Sequence, residues 1–155
     1  MKKSIGLVII STCLLACGTE TVQNVSAPTP KSMVGTWQLV RGTLIEKGDT
    51  TVTDYTTYRS FIKVINNTHF SFLGHDLTKG KDSATFFTSG GGHYSLTDSV
   101  YTEHLEYCSD RNWEGHDFTF SVSINDDTLI QRGIEKIESA GIDRINVEKY
   151  VKVKK

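Results

Sequence analysis

Proline is nearly missing from this 155-residue chain: Pro28 and Pro30 are its only two, and both lie close to the start. Everything after Pro30 is free to build uninterrupted backbone ladders, which a proline tolerates only at edges and bulges. Cysteine is scarce as well, with only Cys13, Cys17 and Cys108. No apolar run approaches the roughly 20 residues that a membrane-spanning helix needs. Neither sign of charge dominates, since 17 basic residues face 18 acidic ones. That balance, without a polybasic patch, argues against a nucleic-acid or anionic-lipid surface as partner. No long stretch keeps a 3.6-residue apolar period, so helical architectures are excluded. The Gly-x-Ser-x-Gly elbow and the His-x-x-x-His pair are also absent, which removes two common catalytic and metal-binding signatures.

What the chain does have begins at its amino terminus. Lys2 and Lys3 precede an apolar stretch from Ile5 to Leu15, and Leu14-Leu15-Ala16 then leads into Cys17. A basic start, a short apolar core and a small residue before the cut describe a secretory signal. With a cysteine immediately after the cut, the segment resembles a bacterial lipoprotein signal. The resemblance implies that residues 1–16 are removed, that Cys17 is lipidated with diacylglyceryl and palmitate-type acyl chains, and that the protein is tethered in the cell envelope. Gly18 after the cysteine implies sorting to the outer membrane, facing the periplasm. Several acyl chains on one residue anchor far more firmly than a single myristoyl group. Cys108 would then be the only thiol left, so no internal disulfide is expected. Its place at the end of a strand-like run reads as a small buried hydrophobe rather than a nucleophile.

Residues 17–33 are expected to be the lipidated terminus and a flexible tether, since they are rich in hydroxyl residues and carry both prolines. The folded domain is expected over residues 34–155. There the pattern is period two. Phe118, Phe120, Val122 and Ile124 alternate with polar residues, and Asn125-Asp126-Asp127 turns the chain into Thr128 to Arg132. Tyr101, Glu103, Leu105 and Tyr107 share one strand face, opposite Thr102, His104 and Glu106. Further strands are expected at Trp37 to Ile45, Tyr58 to Ile65, around Phe70 and Phe72, Ala84 to Leu96, and Ile145 to Val153. A single helical turn is expected at Glu135 to Ser139. About eight consecutive antiparallel strands with one buried face close into an all-β, up-and-down barrel, which leaves no sheet edge exposed. Gly90-Gly91-Gly92 interrupts the longest strand. Either it is a bend at a barrel corner or a loop splitting the strand, and the strand-like residues on both sides favour the bend.

Gly35-Thr36-Trp37 resembles the Gly-x-Trp opening of lipocalins and related calycins. Gly91-Gly92-His93-Tyr94-Ser95-Leu96, followed by Tyr101-Thr102-Glu103-His104-Leu105-Glu106-Tyr107, is similar to paired motifs of a bacterial family of small lipocalin-like lipoproteins. The resemblance covers roughly Met33 to Lys155 and implies a lipocalin-like barrel of unassigned activity. It also implies that Trp37 packs across the closed end beside a basic residue of the last strand, Lys149 or Lys152. The stretch from Gly133 to Arg144 is longer than that family's usual last link.

The inner face of such a barrel either packs solid or holds one small ligand. Phe70, Phe72, Phe118 and their apolar neighbours suit both. Glu103 is the sharper clue, because it alternates onto the same face as Tyr101 and Leu105. A buried carboxylate needs a cation, donors or water, and Arg59, Arg132 and the Tyr94 phenol are candidate partners. A structural ion pair and a ligand-orienting group both remain open. The candidate ligand site is therefore Glu103, Tyr94, Tyr101 and Arg59 against a wall of Phe70, Phe72 and Phe118. His69, His75, His93, His104 and His116 lie on separate elements without ligand spacing, so no metal or other cofactor is expected. Asp-Ser and Asp-Thr pairs at positions 49, 82, 98 and 127 match a short O-glycosylation motif but are also ordinary turn chemistry. Three functions fit: a barrel binding a small apolar molecule or lipid, a solid-core lipoprotein that binds or inhibits another envelope protein, and an enzyme built on Glu103.

Overall fold

The computed structural model describes residues 32–81 and 85–154. The segments read as a lipoprotein signal and tether, Cys17 included, lie outside the described residues except for their last two positions, as does the Asp-Ser pair at position 82. Nine strands run through the described chain: β1 (Gly35–Glu46), β2 (Asp49–Asp54), β3 (Arg59–Ile65), β4 (His69–Asp76), β5 (Phe87–Thr97), β6 (Val100–Cys108), β7 (His116–Asn125), β8 (Thr128–Ile137) and β9 (Ile142–Lys152). Every pairing is antiparallel, and β1 pairs with both β3 and β9. The sheet thus closes into an eight-stranded barrel. The ninth strand, β2, is a hairpin arm that pairs with the far half of β1, from Arg41 to Glu46.

Sequence alternation explains most of this. In β3, Phe61, Lys63 and Ile65 are buried while Val64 between them is exposed. In β7, Phe118 and Phe120 point inward and Thr119 outward. Short polar turns set the registers. At Asn66 the side-chain Oδ1 accepts hydrogen bonds from the amides of Thr68 (2.8 Å) and His69 (2.7 Å), an Asx turn that starts β4. Asp98 and Asp126 take left-handed φ values of 55° and 50° in the β5–β6 and β7–β8 turns, a conformation aspartate tolerates better than most residues.

One end of the barrel is shut. Trp37 is fully buried there, and its indole Nε1 donates to the Met33 carbonyl at 2.7 Å. The Lys152 ammonium stands 5.2 Å from the centre of the Trp37 ring. This is the cation–π contact expected across the closed end, made by Lys152 rather than Lys149. Leu39, Ile65, Phe70, Leu129 and Tyr150 fill the space above it.

The three glycines form a bend inside one continuous strand, not a loop. Gly92 pairs with Leu105 and Gly91 with Tyr107, which leaves Glu106 as an extra residue on β6. A Cβ on Gly92 would lie 1.9 Å from the His104 carbonyl oxygen, and one on Gly90 2.4 Å from Cζ of Phe72. The bulge has a second effect. It shifts the phase of β6, so Tyr107, expected to face inward with Tyr101 and Leu105, is 69 % exposed, and Cys108 turns in instead.

The carboxy-terminal hairpin also differs from the sequence expectation. β8 continues through Glu135 to Ile137, paired with β9 as far as Ile142. Only Glu138–Ala140 forms a 3-10 turn, and Gly141 closes it in the left-handed region at φ 65°. The stretch read as a long link is therefore mostly strand.

Candidate functional site

The other end of the barrel opens into a cavity of about 340 Å³. Its mouth is bounded by Gly42 and Leu44 of β1, Thr53 of the β2 arm, Tyr55, and Asp110 and Trp113 of a short 3-10 turn (Arg111–Trp113) after β6. Aromatic rings form much of the wall. Phe61 stacks on Phe72 with centroids 5.7 Å apart, Tyr55 meets Phe61 edge-on at 5.9 Å, and Trp113 packs on Phe118 at 5.5 Å. Gly90 carries no side chain where the Phe72 ring crosses β5.

The polar part of the wall is built from residues that alternate onto the inner face between apolar neighbours. Lys63, from β3, reaches across the barrel to Glu103 of β6, with Nζ 2.6 Å from Oε1. The same ammonium donates to Oε1 of Gln131 at 3.0 Å and lies 3.9 Å from a Glu148 oxygen. The Phe70, Tyr101 and Tyr150 rings surround it at 5.8, 6.0 and 5.3 Å. Glu148 also accepts a hydrogen bond from the Tyr150 hydroxyl at 2.8 Å. Higher in the barrel, Glu135 accepts from Arg144 Nε and from Asn146 Nδ2, each at 2.7 Å, and the Arg144 guanidinium covers the Trp113 ring at 5.1 Å.

Burial governs the acid–base behaviour. It pushes the Glu103 carboxyl above the ordinary range, against the pull of the Lys63 ammonium. Burial raises Glu135 in the same way, against Arg144. The Tyr101 phenol is pushed far up by burial and by Glu103 beside it, and its hydroxyl makes no well-formed hydrogen bond. Cys108 borders the cavity, and burial raises its thiol too, which does not favour a nucleophilic thiolate.

Of the candidate ligand residues, Glu103, Phe72 and Phe118 line the cavity. Phe70 and Tyr101 are buried but do not border it. Two others lie elsewhere. The Tyr94 hydroxyl donates to the Asn66 carbonyl at 2.8 Å, outside the cavity, although its ring packs 5.3 Å from Tyr101. Arg59 stands over Phe86 at 5.0 Å and borders a separate recess with Tyr58 and Asp76. Arg59 opens β3 at the rim, and Lys63 sits four residues, or about 13 Å, further into the barrel. That places Lys63, not Arg59, level with Glu103. Arg132 is exposed on the outer face of β8.

The residues that sequence reasoning missed are Lys63, Gln131, Glu135, Arg144, Asn146 and Glu148. A signal was present for several of them. Lys63 sits two residues from both Phe61 and Ile65, Gln131 two from Leu129, and Glu148 two from Tyr150, all on apolar faces.

Three of the five histidines gather on the outside. His69, His93 and His104 occupy adjacent positions across β4, β5 and β6. The His93 and His104 rings stack at 4.2 Å, His93 bonds Glu106, and His104 Nδ1 meets Asp117 at 2.8 Å. Among the described residues no group of three His, Cys, Asp or Glu side chains is placed to hold a metal ion, and no helix is long and apolar enough to cross a membrane. No protein-family model matches the chain, and no curated protein matches its sequence.

Proposed function

We propose that this protein is an envelope lipoprotein, anchored through Cys17, whose lipocalin-like barrel binds one small amphipathic molecule. The observation that carries the reading is the open cavity of about 340 Å³ with a mixed wall of stacked aromatics and fixed charges. Small-molecule sites are concave and mostly apolar, with a few placed polar groups, and occupy roughly 300–1,000 Å³. This cavity lies at the small end of that range. Its occupant is a compact molecule rather than a whole membrane lipid, with its apolar part against Phe61, Phe72 and Phe118. A solid core, which an interaction or inhibitor role would use, has no need of such a space.

Native mass spectrometry of the full chain purified from its own host tests the reading. A retained species of a few hundred daltons, released on denaturation, supports it. An empty barrel that also takes up no apolar probe counts against it. The anchor is tested separately: Cys17→Ser should shift the protein from the membrane fraction to a soluble or signal-retaining form, and wild-type protein free in the periplasm would overturn that part.

A further inference from the structure

The charges on the cavity wall do not balance. Two cations, Lys63 and Arg144, face three carboxylates, Glu103, Glu135 and Glu148. Lys63 is spent on Glu103 at 2.6 Å and Arg144 on Glu135 at 2.7 Å. Glu148 is left with the Tyr150 hydroxyl and the already engaged Lys63 ammonium at 3.9 Å. Its side chain is only 15 % exposed. A carboxylate removed from most of its water without a cation of its own is unfavourable. Its charge also pushes Glu103 and Glu135 upward. Asp110 at the mouth adds a fourth negative group to the cavity lining, while Arg59 stands at the rim beside Tyr55.

We propose that the ligand is a small organic cation, an amine with an aromatic or short aliphatic body, whose ammonium docks on Glu148. The inference rests on the calyx reading above and narrows it to one ligand class. The ammonium supplies the missing positive charge, and the rings of Tyr55, Phe61 and Phe72 offer both apolar contact and π faces to a cation. A fatty or aromatic acid would instead place a further carboxylate among three, with both wall cations already engaged.

Three ligands of one shape test this on the full chain: 4-phenylbutylamine, 4-phenylbutanol and 4-phenylbutanoate, titrated by calorimetry at neutral pH. The amine is expected to bind at least about tenfold more tightly than the alcohol, and the acid most weakly. Glu148→Gln keeps an acceptor for Tyr150 and should bring the amine down to the affinity of the alcohol, leaving the alcohol unchanged. Equal binding of amine and alcohol by the wild-type protein, or preference for the acid, would overturn the cation proposal while leaving the calyx intact. Binding of none of the three would overturn the calyx reading itself. The wild-type ranking decides the matter even if the variant fails to fold.

Discussion

Lys63 and Glu103 are 40 residues apart in the chain and 2.6 Å apart inside the barrel. Both are buried, with side-chain exposures of 3 % and 9 %. The pair ties β3 to β6 across the interior, at a level where a purely apolar core would otherwise close the cavity. Together with Gln131 and Glu148 it keeps a polar floor under the aromatic wall.

Breaking that pair from either side should be costly. Lys63→Met leaves Glu103 without its cation, and Glu103→Gln leaves Lys63 without its nearest carboxylate. Each should lose about 3–5 kcal/mol, whereas an apolar replacement of both should recover much of the loss. Urea denaturation of the two single variants and the double variant measures the coupling directly.

The β5–β6 bulge depends on glycine at position 92. An added Cβ would press into the His104 carbonyl, which is backbone and cannot swing away. Gly92→Ala should therefore destabilise by at least about 1–3 kcal/mol. Proton chemical shifts of β6 should show Tyr107 and Cys108 losing their present facing. Unchanged stability would mean that the bulge is not needed.

At the shut end, Trp37→Ala should cost about 3–5 kcal/mol, as large buried aromatics do. Lys152→Met should cost only about 0.5–2 kcal/mol, the value of the cation–π contact alone. Emission from Trp37, recorded with Trp113 replaced by Phe, should be that of a buried indole.

Stability should fall as pH rises from the mildly acidic range. Glu135 and Glu103 have carboxyls raised by burial above their ordinary value of 4.5. Between that value and the raised one the folded state holds more protons than the unfolded state, so stability declines with increasing pH across the window. Asp76 acts in the opposite sense. Hydrogen bonds from the Gly80 amide, the Thr78 hydroxyl and the Phe86 amide hold it far below its usual 3.8, so its contribution is present above that value and lost in stronger acid. Glu135→Gln should flatten the decline above pH 4.5 without altering the acid limb, read from melting temperatures across pH 3 to 8.

The barrel was legible because its strands alternate cleanly and are joined by Asn and Asp turns. The β2 arm was not, since Asp49-Thr50-Thr51-Val52-Thr53-Asp54 buries no face and has only its threonines and valine to mark it as a strand. Tyr107 faces out against its alternation because a bulge reverses the phase without any mark in β6 itself. The cause sits on the neighbouring strand, in Gly91 and Gly92. In the site, Glu103 stands out as a charge among aromatics, yet the sequence offers Arg59, Arg132 and the Tyr94 phenol as its partners. Lys63 carried the same signal within Phe61-Ile62-Lys63-Val64-Ile65, and only the closure of the barrel sets it level with Glu103. Glu135, read as the start of a helical turn, became a wall residue once β8 extended past it.

Leu44 stands at the mouth of the open cavity and gives the most direct test that the cavity receives a ligand. Leu44→Trp fills the entrance with little demand on the buried core, since Leu44 is only partly buried. The uncharged probe N-phenyl-1-naphthylamine, titrated against both proteins, should bind the wild type at one site per chain. The variant should lose that binding while keeping its melting temperature. Equal binding by both, or none by the wild type, would contradict the account.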